Sequence, residues 1–227
     1  MAGFVSRWRM LTSLAKMPIV FPSPSVDDHR RFLISFLFSG CLIPGPKECV
    51  ERAYRDFSRT AKGITKDDEG KERKRSAHAL VETFLREAIS TEWVRDGFDE
   101  WHQRCCGKIC EHYARNGFAN FRIGQAQKWL NMSVKYILSL SEAGLYSALP
   151  SSSLRDVAHV PLDDFILTVT DAYLRVPLRC PWSQISEYNI YMNVQQWIHG
   201  IYPDSAPIDI EFHLYNKEAA RRREARS

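Results

Sequence analysis

One stretch limits the possible folds more than any other: FRIGQAQKWLNMSVKYILSL, residues 121–140. Stepped at 100° per residue, Ile123, Ala126, Leu130, Val134 and Ile137 share one narrow sector. Trp129, Ser133, Tyr136 and Leu140 fill the sector beside it. An apolar arc covering half the circumference exceeds a surface stripe, so this segment predicts a central helix packed on several sides. Its polar residues then need explaining. Lys128 and Lys135, seven apart, share the outer face. Asn131 lies between them and nearer the core, and Gln127 falls inside the core arc. A buried glutamine must find hydrogen-bond partners or cost a few kcal/mol. Either Gln127 and Asn131 satisfy a loop carbonyl or each other, or they line a pocket rimmed by the two lysines.

The rest of the chain reads as further helices. Helix signals run from Ser25 or Asp27 to Gly40, from Lys47 to Lys62 with Val50, Tyr54 and Phe57 on one face, from Ala77 to Val94, and from Phe98 to Asn116. Pro161 reads as the start of another, carrying Leu162, Ile166, Val169 and Tyr173. Ser183 caps one that reaches His199. IDIEFHL (208–214) alternates like a strand, but Ser205, Pro207 and the following KEAARRREAR favour helix. There are no repeats and no hairpin signals. These elements predict an all-α bundle of seven or eight helices around the central one at 121–141. Residues 27–227 form a single domain on this reading, with a charged loop or frayed helix start at 64–76, ITKDDEGKERKRS. Residues 1–26 read as a loosely docked segment with Phe4, Trp8 and Leu11 on its apolar side. Its first acidic residue is Asp27, an arrangement also met in organelle transit peptides.

Three stretches resemble one another's setting in a known group. GQAQKWLNMSVKY (124–136), HVPLDDFIL (159–167) and WSQISEY (182–188) are similar to motifs of uncharacterised bacterial all-α proteins. The resemblance covers residues 118–188, about a third of the chain. No activity is known for that group, so it implies no residue roles. It does imply that the 121–141 helix and the Pro161 helix form one unit. Asp163 and Asp164 would then sit in the first turn, where the helix dipole favours negative charge. His159 just precedes them. Gln127, Lys128, Asn131, Lys135, His159, Asp163 and Asp164 are therefore the candidate binding residues, in a polar cleft between the two helices.

Other constellations carry less. His102, Cys106 and Cys110 recur at i+4 steps, but a straight helix spreads three such residues over about 12 Å, too far for one zinc ion. No metal or cofactor is expected. Asp209, Glu211 and His213 share a face only if their segment is a strand. Arg73–His78 and Arg95–His102 match a spacing found in helical ribonucleases, one that recurs by chance in an arginine-rich chain. No P-loop, G-x-G-x-x-G, G-x-S-x-G or H-E-x-x-H motif is present. The chain holds 31 Lys and Arg against 27 Asp and Glu, a mild formal charge of +4. Two basic runs stand out, KERKR (71–75) and RRREAR (221–226), each with acids nearby. Six cysteines without a secretory signal pattern fit a reducing cytoplasm, and no apolar run reaches membrane-spanning length. The sequence thus supports a soluble binding or interaction protein that contacts nucleic acid, or another protein, through its basic loop and tail. The rival is a helical hydrolase or nuclease using His159, Asp163, Lys128 and Asn131.

Overall fold

A computed structural model describes residues 25–64, 67–146, 150–168, 178 and 180–225. Among them there are helices and no strands. The helices are α1 (Val26–Leu37), α2 (Pro46–Phe57), α3 (Asp68–Ser90), α4 (Arg95–Arg115), α5 (Ile123–Glu142), α6 (Ser152–Val157), α7 (Tyr188–Ile201) and α8 (Pro207–Glu224). Residues 164–168 are also helical. Ser58–Thr60 continues α2 as a 3-10 turn, and Trp182–Gln184 is another.

The central helix lies where the apolar arc put it. α5 packs against α2, α3, α4, α7 and the 182–184 turn. Trp129 is fully buried, its ring against Tyr54, Phe57 and His78. Its indole Nε1–H donates to the Val50 carbonyl at 3.0 Å. Local sequence sets the ends. At α2, the Gly45 N–H donates to Glu48 three residues on, closing the first turn ahead of Pro46. At α3, the Asp67 carboxylate accepts from the Gly70 N–H at 2.6 Å.

Several expectations need correction. The loop expected at 64–76 is mostly helix, because Asp67 caps α3 and places KERKR in its opening turns. The helix expected to start at Pro161 begins later. Residues 158–163 are non-helical, and the Asp163 carboxylate caps the helical turn at 164–168 by accepting from the Ile166 N–H at 3.0 Å. Val169 and Tyr173 lie outside the described residues, as does nearly all of the N-terminal segment expected at 1–26. The helix capped at Ser183 divides into the 182–184 turn and α7. Ser151 precedes the short helix α6, which sequence periodicity does not mark. IDIEFHL is helical, within α8.

α1 is unusual in its orientation. Phe32, Leu33, Phe36 and Leu37 are 47–71% exposed, and its inward contacts come from Ile34 and Phe38. No described helix is long and apolar enough to cross a membrane.

Candidate functional site

The inner polar edge of α5 is a latch. Gln127 Nε2 donates to the Gly124 carbonyl at 2.9 Å and to the Leu162 carbonyl at 3.0 Å. Its Oε1 accepts from the Leu162 N–H and from Asn131 Nδ2, both at 3.2 Å. Gln195 of α7 treats Val160 in the same way. It accepts from the Val160 N–H at 3.0 Å and donates to the Val160 carbonyl at 2.8 Å. Two buried glutamine amides thus bind alternate residues of 158–163, as a neighbouring strand would. Between them sits Pro161, which has no N–H to satisfy.

Behind the latch runs a chain of buried side chains. Asn131 Nδ2 donates to the Tyr191 hydroxyl at 2.8 Å. That hydroxyl lies 3.0 Å from His159 Nδ1, and His159 Nε2 lies 2.7 Å from an Asp99 oxygen. With Asn131 donating, Tyr191 gives its proton to His159 Nδ1, so Nε2 carries the hydrogen that Asp99 accepts. Asn131 Oδ1 accepts from His102 Nε2 at 2.9 Å, and His102 Nδ1 faces the Tyr188 hydroxyl at 2.8 Å. Both imidazoles are neutral in this scheme. Burial depresses both pKa values, His102 strongly and with help from nearby His159; at His159 the Asp99 carboxylate opposes the shift.

With both ring nitrogens occupied, His102 has no free ligand atom for a metal. Cys106 Sγ sits 3.7 Å from its Nδ1, and burial pushes the Cys106 thiol pKa well up. Among the described residues no group of three His, Cys, Asp or Glu side chains is placed to hold a metal ion.

The outer edge of α5 faces a cleft of about 840 Å³. The lysines expected at the solvent face are buried instead, Lys128 to 3% exposure and Lys135 to 8%. The reason is cover from the chain at Asp163 and from α8. Lys128 Nζ lies 2.5 Å from Asp163 Oδ2, and Lys135 pairs with Glu211 of α8. Burial raises the Glu211 pKa, against the pull of Lys135 and Lys128. These two neutral pairs make the floor. On one wall, Arg52 pairs with Asp56 at 2.6 Å and lies over the Tyr136 ring, whose hydroxyl donates to Asp56. On the other, Phe165 and Tyr215 stack at 5.1 Å, and the Arg222 guanidinium lies 3.8 Å from the Phe165 centroid. Trp182, Asp164, Arg55 and Arg59 also line it.

The seven candidate residues therefore divide. Lys128, Lys135, Asp163 and Asp164 line the cleft. Gln127 and Asn131 are interior, and His159 reaches a separate hollow of about 40 Å³ beside Arg95, Asp99 and Gln195. The four residues of the hydrolase reading do not line one cavity.

A second concavity, about 510 Å³, lies between α2 and α3. Lys47, Lys71, Lys74, Arg75 and Arg55 line it, with Tyr54 and His78 below. Arg55 lines both hollows, so they adjoin; Lys71, Lys74 and Arg75 of KERKR line the first and Arg222 of α8 lines the second. Together the linings hold ten Lys and Arg and six Asp and Glu. Lys71, Arg75 and Arg222 are paired with flanking Asp68, Glu72 and Glu218. Lys47, Arg55, Arg59 and Lys74 have no carboxylate partner among the described residues. Arg55 meets only the Ser39 hydroxyl, and Lys74 lies over the Tyr54 ring.

Sequence reasoning missed Arg55, Arg59, Glu211 and the aromatic wall. Arg52, Arg55 and Arg59 do recur at steps of three and four, a helical face visible in the sequence. Nothing in the sequence pairs Lys135 with Glu211, 76 positions away. Comparison with protein-family models, with curated proteins and with solved structures finds no match.

Proposed function

We propose that this protein is a non-catalytic all-α binding protein that holds a phosphate-bearing polyanion along the surface joining its two concavities. The observation that carries the reading is the cluster of unpaired cations on and beside α2. Lys47, Arg55 and Arg59 span about 18 Å at the helical rise, with Lys74 across the groove. A cation with a carboxylate partner gains little from a phosphate, whereas an unpaired exposed one exchanges small ions for it. The expected contact through a basic loop and tail becomes contact through α2 and α3, with Arg221 and Arg222 held back by Glu218. On the same reading the protein works in the cytoplasm, where its six unpaired cysteines stay reduced.

Fluorescence anisotropy with labelled oligonucleotide and with heparin, over a salt series, tests this. Binding at low salt should weaken steeply as salt rises. Arg55→Ala with Arg59→Ala should lower the slope of log K against log salt by about 0.7–0.9 per lost contact. Lys108→Ala, outside both concavities, should leave it unchanged. Absence of binding to every polyanion at low salt refutes the reading.

A further inference from the structure

The two hollows along the surface differ in a way that selects among polyanions. In the α2–α3 groove the aromatic ring is Tyr54, 6% exposed and covered by Lys74. The cleft has four rings in its lining, Tyr136, Phe165, Trp182 and Tyr215; cations also lie over three of these, but Tyr215 is 40% exposed. Its floor carries no free charge, since Lys128 is matched by Asp163 and Lys135 by Glu211. Its unpaired cations, Arg55 and Arg59, are the exposed ones. A phosphate gains most at those two arginines and little at the neutral floor. A flat aromatic group suits the cleft, where rings flank a floor of matched charges.

From this division we infer that the cleft takes one unstacked nucleobase while Arg55 and Arg59 hold the adjoining phosphates. The polyanion is then single-stranded nucleic acid. The inference rests on the polyanion reading and narrows it. About 840 Å³ lies within the size of ordinary small-ligand sites and accepts one nucleotide unit. A duplex keeps its bases paired and stacked, so none is free to enter the cleft. Stacking also explains a lack of sequence-reading groups, because every base presents a π face.

The experiment compares four probes of equal length on the intact protein: a single-stranded oligonucleotide, its duplex, an abasic strand with the same phosphates, and polyphosphate. The single strand should bind at least tenfold more tightly than the abasic strand and the duplex. Tyr215→Ala should reduce single-strand affinity about tenfold and leave abasic affinity unchanged, with Tyr215→Phe restoring it. Arg59→Ala should weaken both strands equally. Because Tyr215 is exposed, its loss leaves the core intact, and circular dichroism verifies that. Equal affinity for all four probes overturns the base-binding inference and leaves the polyanion reading standing. Failure of all four to bind overturns both.

Discussion

Replacing Gly124 by alanine tests how the three sequence stretches are assembled. Gly124 occupies the first turn of α5, where helical N–H groups have no partner within the helix. Its N–H instead donates to the Ile185 carbonyl at 2.9 Å, fixing the 182–184 turn against α5. A methyl group there would stand 1.8 Å from the Trp182 carbonyl oxygen and 2.9 Å from its carbon. Normal contact is about 3.3 Å or more, so one backbone must retreat by roughly 1.5 Å. No side-chain rotation relieves that, since both partners are main chain. Overpacking costs about 1–3 kcal/mol and the weakened hydrogen bond about 1 more. The helix propensity of alanine returns up to about 1 kcal/mol. The expected net loss is about 1–3 kcal/mol.

Gly107 is the internal control. It lies in the middle of α4, and nothing stands within 4 Å of the position a Cβ would take. Gly107→Ala should therefore stabilise by about 0.5–1 kcal/mol. Urea unfolding followed by far-ultraviolet circular dichroism measures both variants. The midpoints should move in opposite directions, with Gly124→Ala below the parent and Gly107→Ala above it. A Gly124→Ala midpoint equal to or above the parent's would refute the assembly. The same substitution displaces Trp182, which lines the cleft, so single-strand binding should weaken in whatever fraction remains folded.

Three other outcomes follow from the same packing. Gln127→Leu leaves the Leu162 N–H and carbonyl buried without partners and should cost about 3 kcal/mol or more in urea unfolding; a loss under 1 kcal/mol would show that the latch is dispensable. Lys135→Met strands a 1% exposed carboxylate at Glu211 and should cost about 3–5 kcal/mol at pH 8, less as the medium turns acidic, while adding Glu211→Gln should recover most of it; a double variant as unstable as the single one contradicts the pairing. Half-buried His78 and buried His102 and His159 all have folded pKa values below 6.5, His78 at about 4, so the unfolded chain takes up protons first. Stability should be intact above about pH 6.5 and fall below it by up to about 1.4 kcal/mol per pH unit for each ring, the His78 share levelling off near pH 4. Unfolding midpoints that do not move between pH 7 and pH 5 would contradict neutral burial.

The architecture was legible where a single periodicity decided it. The arc through Ile123, Leu130 and Ile137 fixed both the helix and its central place, because a face that broad has no other means of leaving water. The start of α3 was also written in the sequence, in Asp67 and the acids after it, but apolar content becomes visible only from Ala77. The turns that carry KERKR project beyond the core, so hydrophobic pattern cannot find them and capping chemistry can. Pro161 misled for a comparable reason. A proline suits the first turn of a helix, yet it equally suits an extended segment whose neighbours are held by side-chain amides. What separates the two cases is Gln195, 34 positions later. The interior chain from Asn131 to Asp99 likewise joins residues from four separate stretches. One sequence shows that Gln127 and Asn131 need partners; it does not show which ones.

The two polar edges of α5 are coupled through the segment they both hold. Gln127 fixes Leu162 from the inside, and the next residue, Asp163, meets Lys128 on the outside. Asp163 also caps the helical turn that presents Phe165 to Tyr215 and Arg222. The position of the aromatic wall is thus set by hydrogen bonds made in the dry interior at Leu162, three residues before Phe165. An exposed ion pair alone would be too weak to place that wall, being worth less than about 1 kcal/mol. The latch supplies the rigidity, and the buried pairs beside it supply a floor without net charge. In this arrangement the polar residues of an otherwise apolar helix serve one end: the inner ones hold in register the segment on which the outer ones build the cleft.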